Sequence, residues 1–160
     1  MRLGICTRYT NHEATYAAIR LAEAAESLDV EEVSLFTMTP QLSRISPRWD
    51  DKVARVQHVP FSRWAAKQDH ILWTTVPHKE QLCWVRQQQK KTTILVLWHE
   101  LDAQAMSTLA TADSLLCPSV ACYDFMRNRY CANAVCLPWD CGQPLFSKPD
   151  NYSVTRPKIF

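Results

Sequence analysis

Glycine is nearly absent from this chain, since only Gly4 and Gly142 occur among its 160 residues. The common dinucleotide-binding turn needs the glycines of G-x-G-x-x-G, and the phosphate loop of P-loop nucleotidases needs G-x-x-x-x-G-K. Two isolated glycines supply neither pattern. The sequence therefore excludes both phosphate-binding turns and disfavours a nucleotide-binding oxidoreductase.

Long apolar runs are absent as well. No stretch approaches the ~20 consecutive apolar residues that a membrane-spanning helix needs. The first residues, MRLGIC, lead directly into a strand pattern. They lack the basic, apolar and small-residue order of a signal peptide. We therefore expect a cytoplasmic protein with no membrane span.

Cysteine is plentiful, but its spacing does not fit a metal site. The chain has seven cysteines, and five of them fall within residues 117–141. No pair shows the Cys-x-x-Cys spacing that is typical of zinc ligands. Structural disulfides are not expected in a reducing compartment. We predict no metal site and free thiols.

Charge is unevenly distributed along a chain whose net charge is only +2. Residues 13–32 hold six acidic side chains and one basic one, whereas residues 51–91 hold eight basic and three acidic ones. A basic middle segment could face an anionic ligand such as a nucleotide or a nucleic acid. A solvated helix face explains the same charges and is the favoured interpretation.

The apolar pattern predicts alternating strands and helices. The chain is long enough for one domain and too short for two ordinary ones. The first three segments form a β-α-β unit, which predicts parallel strands joined by a right-handed crossover. The uninterrupted ILVLW run at residues 94–98 is typical of a central strand in a parallel sheet. Strands are predicted at residues 2–6, 30–38, 52–59, 70–76, 94–98, 114–117 and 134–137, and helices at 13–28, 61–67, 78–90, 101–112 and 120–129. Residues 39–51 are predicted to be irregular. The predicted fold class is α/β, a single domain with an open, mostly parallel sheet flanked by helices.

Polar residues follow three of the predicted strands in the last third of the chain. They are His99-Glu100, Pro118-Ser119 and Trp139-Asp140. In open α/β sheets, ligands bind outside the carboxyl ends of the strands. These three strand ends are therefore where we expect a site.

The order of these motifs resembles a known family. The first strand runs into a polar loop and a long helix, RLGICTRYTNHEATYAAIRLAEAAESL, and a central strand ends in a His-acidic pair, LVLWHEL. A strand ending in serine follows, ADSLLCPSVACYDFMRNRY, and then a Pro-x-Asp turn, AVCLPWDCG. Together they resemble the N-terminal, Rossmann-like domain of a GT-B glycosyltransferase of the retaining glycosyltransferase-4 type. The chain departs from that family by having Glu100 where aspartate is usual and by lacking a glycine-rich first turn.

The resemblance implies a division of the chain and of the activity. Residues 1–142 would form the acceptor-side domain, and residues 143–160 a linker or tail toward an absent second domain. That second domain, or a partner chain, would hold the donor nucleotide-sugar, and no other cofactor is implied. If so completed, the protein would be a hexosyl- or pentosyltransferase. We expect no transfer by these 160 residues alone.

The resemblance also assigns roles to individual residues. His99 would point into the cleft between the domains and position the sugar or its phosphate, as the catalytic candidate. The alternative, a histidine packed beside its neighbours, is equally consistent with the sequence. Arg8, Tyr9, Asn11 and His12 lie in the first strand-to-helix loop and would border the acceptor. Asn11 is also suited to capping the following helix.

Four further residues are candidates for the cleft face, each with a structural alternative. Glu100 is better explained as a carboxylate near a helix N-terminus. Ser119 is better explained as a helix N-cap. Asp140 could bond the backbone in a turn. Trp139, like Trp49, is predicted to lie in a loop and to form a contact surface, whereas Trp64, Trp73, Trp84 and Trp98 follow core patterns.

A second function remains open at this point. A stand-alone, non-catalytic domain of the same fold could bind protein or nucleic acid through the basic segment of residues 51–91 and the loop tryptophans. Nucleic acid is also a candidate acceptor for the transferase. A cleft face built to meet a second domain would be unusually apolar if bare, so we expect the chain to self-associate or to carry a partner there.

Overall fold

The structure is a computed structural model that describes residues 1–9, 13–28, 30–39, 45–56, 58–97, 101–129 and 133–137. Strands and helices alternate along most of the chain. The elements are β1 (Arg2–Thr7), α1 (Glu13–Glu26), β2 (Glu32–Thr37), α2 (Pro47–Val56), α3 (Phe61–Ala65), β3 (His70–Trp73), α4 (Lys79–Gln87), β4 (Lys91–Leu95), α5 (Ala103–Leu109), β5 (Ser114–Cys117), α6 (Val120–Arg129) and β6 (Ala134–Cys136).

The six strands form one open sheet in the order β2-β1-β3-β4-β5-β6. Every pair of neighbours is parallel. Because helices connect the strands, the chain has a Rossmann-like α/β fold, and the predicted fold class is confirmed. The order reverses once: from β1 the chain adds β2 on one side and then returns to add β3 on the other.

Both faces of the sheet are buried, because successive strand residues alternate between two cores. Ile5, Leu35 and Leu72 pack into one core together with Ala18 and Trp49 from the helices. Their neighbours along the strands, Cys6, Phe36, Ile71 and Trp73, join the other core with Ile94 and Leu82. This arrangement explains why the strand sequences are almost continuously apolar.

The second helix corrects the prediction of a strand at residues 52–59 and of an irregular segment before it. The chain is helical over Pro47–Val56, with Trp49, Asp50 and Val53 buried. Trp49 is fully buried rather than part of a contact surface. The alternation of polar and apolar residues that suggested a strand was too short to distinguish the two periods. Trp49 and Val53 are four residues apart and therefore share one helix face.

Most of the remaining elements overlap the predicted ones, but the strand predicted at residues 94–98 lies at Lys91–Leu95, and the strand predicted at 70–76 ends at Trp73. Helix α6 has the predicted bounds, and the predicted parallel β-α-β unit is present. The indole rings of Trp64 and Trp73 are in the core as predicted. No helix in the described part of the chain is long and apolar enough to cross a membrane.

Gly4 allows the sheet and α3 to approach closely. A Cβ atom at this position would lie 2.7 Å from Gln68 Cγ and 2.7–2.8 Å from the six-membered ring of Trp64. The ring cannot easily move, because its Nε1 donates a hydrogen bond of 2.9 Å to Ser34 Oγ on β2. Glycine is therefore required here by space and not by backbone conformation.

We expect Gly4→Ala to lower the free energy of unfolding by about 2 kcal/mol, because the methyl group overpacks a fixed ring. Urea unfolding would measure the loss. The same substitution should cost less in a Trp64→Leu background, where the aromatic obstruction is removed. Strictly additive effects of the two substitutions would contradict this explanation.

Candidate functional site at the carboxyl edge of the sheet

The reversal of strand order places an open crevice at the carboxyl ends of β1 and β3. Open α/β sheets bind their ligands at such a point, because the loops that follow the two strands turn away from each other. Thr74 closes the base of the crevice, since its backbone N–H donates to the carbonyl of Cys6 at 3.0 Å. The chain then continues through Thr75 and Val76 to His78 at the start of α4.

The described residues along this edge line two cavities. The first, of about 440 Å³, is lined by Phe36, Thr37, Met38, Thr39, His58, Phe61, His78 and Gln81. The second, of about 280 Å³, is lined by Arg8, Val76, Pro77, His78, Asp102, Gln104, Ala105 and Thr108. His78 lines both cavities and therefore joins them. The two cavities together form the carboxyl-edge site.

Several hydrogen-bonding groups at this edge are buried without a partner among the described residues. Thr39 Oγ1 and Gln81 Oε1 belong to residues that line the first cavity. Thr7 Oγ1, at the end of β1, and Thr75 Oγ1, shortly after β3, are also buried without a hydrogen-bond partner among the described residues. A buried polar group without a hydrogen bond costs about 1–3 kcal/mol. A bound molecule carrying several hydroxyl groups would satisfy such groups.

An aromatic cluster forms the floor of the first cavity. Phe36 and Phe61 face each other edge to face with ring centroids 5.6 Å apart. Phe61 also packs against Trp73 at 5.5 Å and Trp84 at 6.1 Å, while Phe36 packs against Trp64 at 4.9 Å. Because these rings pack against one another, the aromatic floor of the cavity is rigid and apolar.

Among the described residues that line the carboxyl-edge site, Arg8 and Asp102 are the arginine and the carboxylate, and both line the second cavity. Asp102 is the N-cap of α5, and its Oδ1 accepts a hydrogen bond of 2.7 Å from the backbone N–H of Ala105. Asp102 is an exposed residue. Arg8 is also exposed and follows the last residue of β1. The described lining of the first cavity thus holds no lysine, arginine or carboxylate, whereas that of the second holds one group of each sign.

Tyr9 holds the loop after β1 in place instead of facing the cavities. Its side chain is fully buried, and its hydroxyl donates a hydrogen bond of 2.7 Å to Asp50 Oδ1. The same carboxylate accepts from the backbone N–H groups of Ile45 and Ser46 at 3.2 Å. Burial, together with the Asp50 carboxylate, raises the pKa of Tyr9 far above its ordinary value. Tyr9 thus acts on the neighbouring site through the loop's position and not by direct contact.

The structure separates the residues that sequence analysis singled out. Arg8 lines the site as described, and Tyr9 lies beneath it. Ser119 lies at the end of β5, where its Oγ accepts from the backbone N–H of Cys122 at 3.2 Å, so the predicted N-cap is present. Six of the predicted residues are outside the described part of the chain, and their roles stay predictions: Asn11, His12, His99, Glu100, Trp139 and Asp140.

The sequence reasoning missed most of the lining, including the polar residues His58, His78, Gln81, Asp102 and Gln104. They come from three segments of the chain, and no motif joins those segments. His78 had the clearest local signal, because it follows a strand and Pro77 and precedes a helix. Asp102 had a second signal, since aspartate before a helix is a typical N-cap.

The cysteines form no metal site in the described residues, where no group of three or more His, Cys, Asp or Glu side chains could hold an ion. Cys117 and Cys122 are buried in the same core, and their thiols are hydrogen-bonded to each other. This bond raises the pKa of Cys117, which burial raises further, and it lowers the pKa of Cys122.

Comparison with known proteins gave no family: no protein-family model matches the chain, and no curated protein matches it significantly.

We expect Tyr9→Phe to reduce the free energy of unfolding by about 2 kcal/mol, because it removes a hydrogen bond to a buried carboxylate. Tyr123→Phe is the matched control. Its hydroxyl bonds Arg127 on an exposed helix surface, and its loss should cost under about 0.5 kcal/mol. Urea unfolding of both variants tests the difference, and equal losses would show that the buried bond has no special role.

Proposed function

We propose that this chain is the acceptor-side domain of a nucleotide-sugar-dependent retaining glycosyltransferase and that its carboxyl-edge site holds the acceptor sugar. The observation that carries the proposal is the composition of the first cavity. Hydroxyl, amide and imidazole side chains line it together with an aromatic floor, between the carboxyl end of β2 and the start of α4 and beside the point where the strand order reverses. The motif order in the sequence supports the same proposal.

The lining suits a carbohydrate for chemical reasons. A sugar ring carries hydroxyl groups that both donate and accept, and threonine hydroxyls and the Gln81 amide can do the same. The C–H faces of the ring are apolar and would contact Phe36 and Phe61. A cavity of about 440 Å³ lies within the usual size range of small-molecule sites, which begins at roughly 300 Å³. A nucleotide would instead call for several cations, and the described residues that line the first cavity include no lysine or arginine.

The second cavity would serve the reacting end of the acceptor. Retaining transfer requires an acceptor hydroxyl held against the anomeric carbon and stabilisation of the departing diphosphate. Arg8 could bind a phosphate oxygen of the donor or of a phosphorylated acceptor through its guanidinium group. Because His78 lines both cavities, it would contact a sugar bound in either of them. His99, the predicted catalytic residue, belongs to the same proposal.

The donor would be held by a second domain or a partner chain facing this edge. The family's donor contacts come mainly from such a domain, and the described residues here form one sheet with one carboxyl edge. The chain by itself should therefore bind acceptor without transferring sugar. Self-association through this face is the alternative way of covering it.

The test is sugar binding by the intact chain and by a pair of glutamine variants. Isothermal titration with a panel of neutral mono- and disaccharides should find at least one saturable ligand. We expect Gln81→Ala to weaken binding about ten-fold, because a lost hydrogen bond in a buried site is worth roughly 1.4 kcal/mol. Gln87→Ala, on the exposed side of the same helix, should leave binding unchanged.

Two outcomes would contradict the proposal. One is the absence of saturable binding to any sugar in the panel. The other is a sugar that binds Gln81→Ala as well as it binds the unchanged chain. Tight binding of single-stranded nucleic acid with no sugar response would instead support the non-catalytic binding domain.

A further inference from the structure

A second groove lies at the opposite, amino edge of the sheet. It has a volume of about 770 Å³ and runs past the first residues of four adjacent strands: His70, Lys91, Ser114 and Ala134. Arg86 and Lys90 from the end of α4 border it, as do Asp113 and Asn133 from the turns before β5 and β6. The sheet separates this amino-edge groove from the carboxyl-edge site.

The groove has a positive charge that its own acidic group does not neutralise. Arg86, Lys90 and Lys91 face a single lining carboxylate, Asp113. Asp113 is already engaged, because its Oδ2 accepts from the backbone and hydroxyl of Thr92 at 2.8 and 2.7 Å and its Oδ1 lies 3.8 Å from Arg86 Nε. The positive charges of Lys90 and Lys91 are therefore not neutralised by a carboxylate of the lining.

The two lysines differ in their availability. Lys90 donates to the carbonyl of Ala66 at 3.1 Å, which holds its ammonium group near the groove. The side chain of Lys91 is exposed, and its ammonium group bonds no residue in the described part of the chain. The nearby residue Asp69 does not line the groove, and its carboxylate forms an ion pair with Arg2, with Oδ1 3.6 Å from Nη2. Lys91 is thus the cation best placed to meet an anion.

Three side chains form a hydrogen-bonded chain across three adjacent strands, β3, β4 and β5, at this edge. His70 Nε2 lies 2.8 Å from Thr93 Oγ1, which lies 2.6 Å from Ser114 Oγ. Burial, and secondly the charge of Lys91, lowers the pKa of His70, so the imidazole is neutral at pH 7. A neutral imidazole with its proton on Nε2 would donate to Thr93, Thr93 to Ser114, and Ser114 would have its own proton free for a ligand.

We propose that the amino-edge groove binds a phosphate group, with the Lys91 ammonium and the Ser114 hydroxyl as its donors. The proposal is independent of the proposed glycosyltransferase function, since the groove lies at the other end of the strands. A phosphate oxygen accepts from both donor types, and a charged donor gives the stronger bond. The phosphate could be inorganic or part of a phosphomonoester, and the two share the same recognition chemistry.

The test is a titration of the intact chain with inorganic phosphate and, separately, with glycerol 3-phosphate, each at constant ionic strength. Saturable binding in the millimolar range is expected for at least one of them. Lys91→Gln should weaken it about ten-fold and Ser114→Ala about five-fold, as expected for a charged and a neutral hydrogen bond. Arg55→Gln removes an exposed cation on α2, far from the groove, and should leave binding unchanged.

The state of His70 provides a second readout. The ¹⁵N chemical shifts of its imidazole should report the Nε2–H tautomer when phosphate is bound, as the direction of the hydrogen-bonded chain requires. The Nδ1–H tautomer in the bound state would overturn the role of Ser114. Equal weakening by Arg55→Gln and Lys91→Gln, or no saturable binding of either phosphate compound, would overturn the site itself. Stronger binding of glycerol 3-phosphate than of inorganic phosphate would support the proposal and identify a phosphomonoester as the ligand.

Discussion

The buried hydrogen bond between Tyr9 and Asp50 fixes the part of the molecule on which the carboxyl-edge site depends. It joins the loop after β1 to the start of α2, and the Asp50 carboxylate also holds the backbone at Ile45 and Ser46. Tyr9 is further tied to β2, because its backbone N–H donates to Thr37 Oγ1 at 3.3 Å. Three segments that are distant in sequence therefore meet at one edge. A single buried carboxylate with three donors is well satisfied, and such a group specifies one arrangement of the segments around it.

The two edges of the sheet present different chemistry. At the carboxyl edge, loops and helix starts bring together hydroxyl, amide and imidazole groups over an aromatic floor. At the amino edge, the end of α4 and the first residues of β4 bring together cations. The excess of basic residues in the middle of the sequence is thus partly concentrated in one groove. A charge count along the chain could not show this. Arg86 and Lys91 line the groove, whereas Lys52, from the same basic segment, forms an ion pair with Glu26 of α1.

The fold could be predicted from the sequence because its apolar pattern is strong. Continuous apolar strands, an alanine-rich first helix and short polar turns indicate a parallel α/β sheet, and the structure has one. The exception was α2, where Trp49 and Val53 share a helix face. Their sequence neighbourhood is rich in charge, so the few apolar positions gave no clear period. Tertiary contact with the sheet, and not local propensity, determines that this segment is a helix.

The site could be predicted only in its location. Strand ends in an open parallel sheet are where sites form. Reasoning from the sequence named this edge and Arg8, which lines the second cavity there, and the acceptor role of Arg8 stays a prediction. The same reasoning could not select His58, His78 and Gln81, because their proximity depends on how α3 and α4 pack on the sheet. Nor could it predict that Tyr9, in the same loop as Arg8, turns inward. Neighbouring loop residues face opposite ways here because a buried carboxylate from another segment supplies a partner for one of them.

The central claim is that the carboxyl-edge site recognises the hydroxyl groups of a neutral sugar. The most direct measurement is a map of backbone amide chemical-shift changes during a sugar titration of the isotope-labelled chain. We expect the changes to cluster at Thr37, Thr39, Thr75, His78 and Gln81 and to leave the amino edge undisturbed. Changes centred on Lys91 and Ser114, or scattered weakly over the whole surface, would contradict the claim.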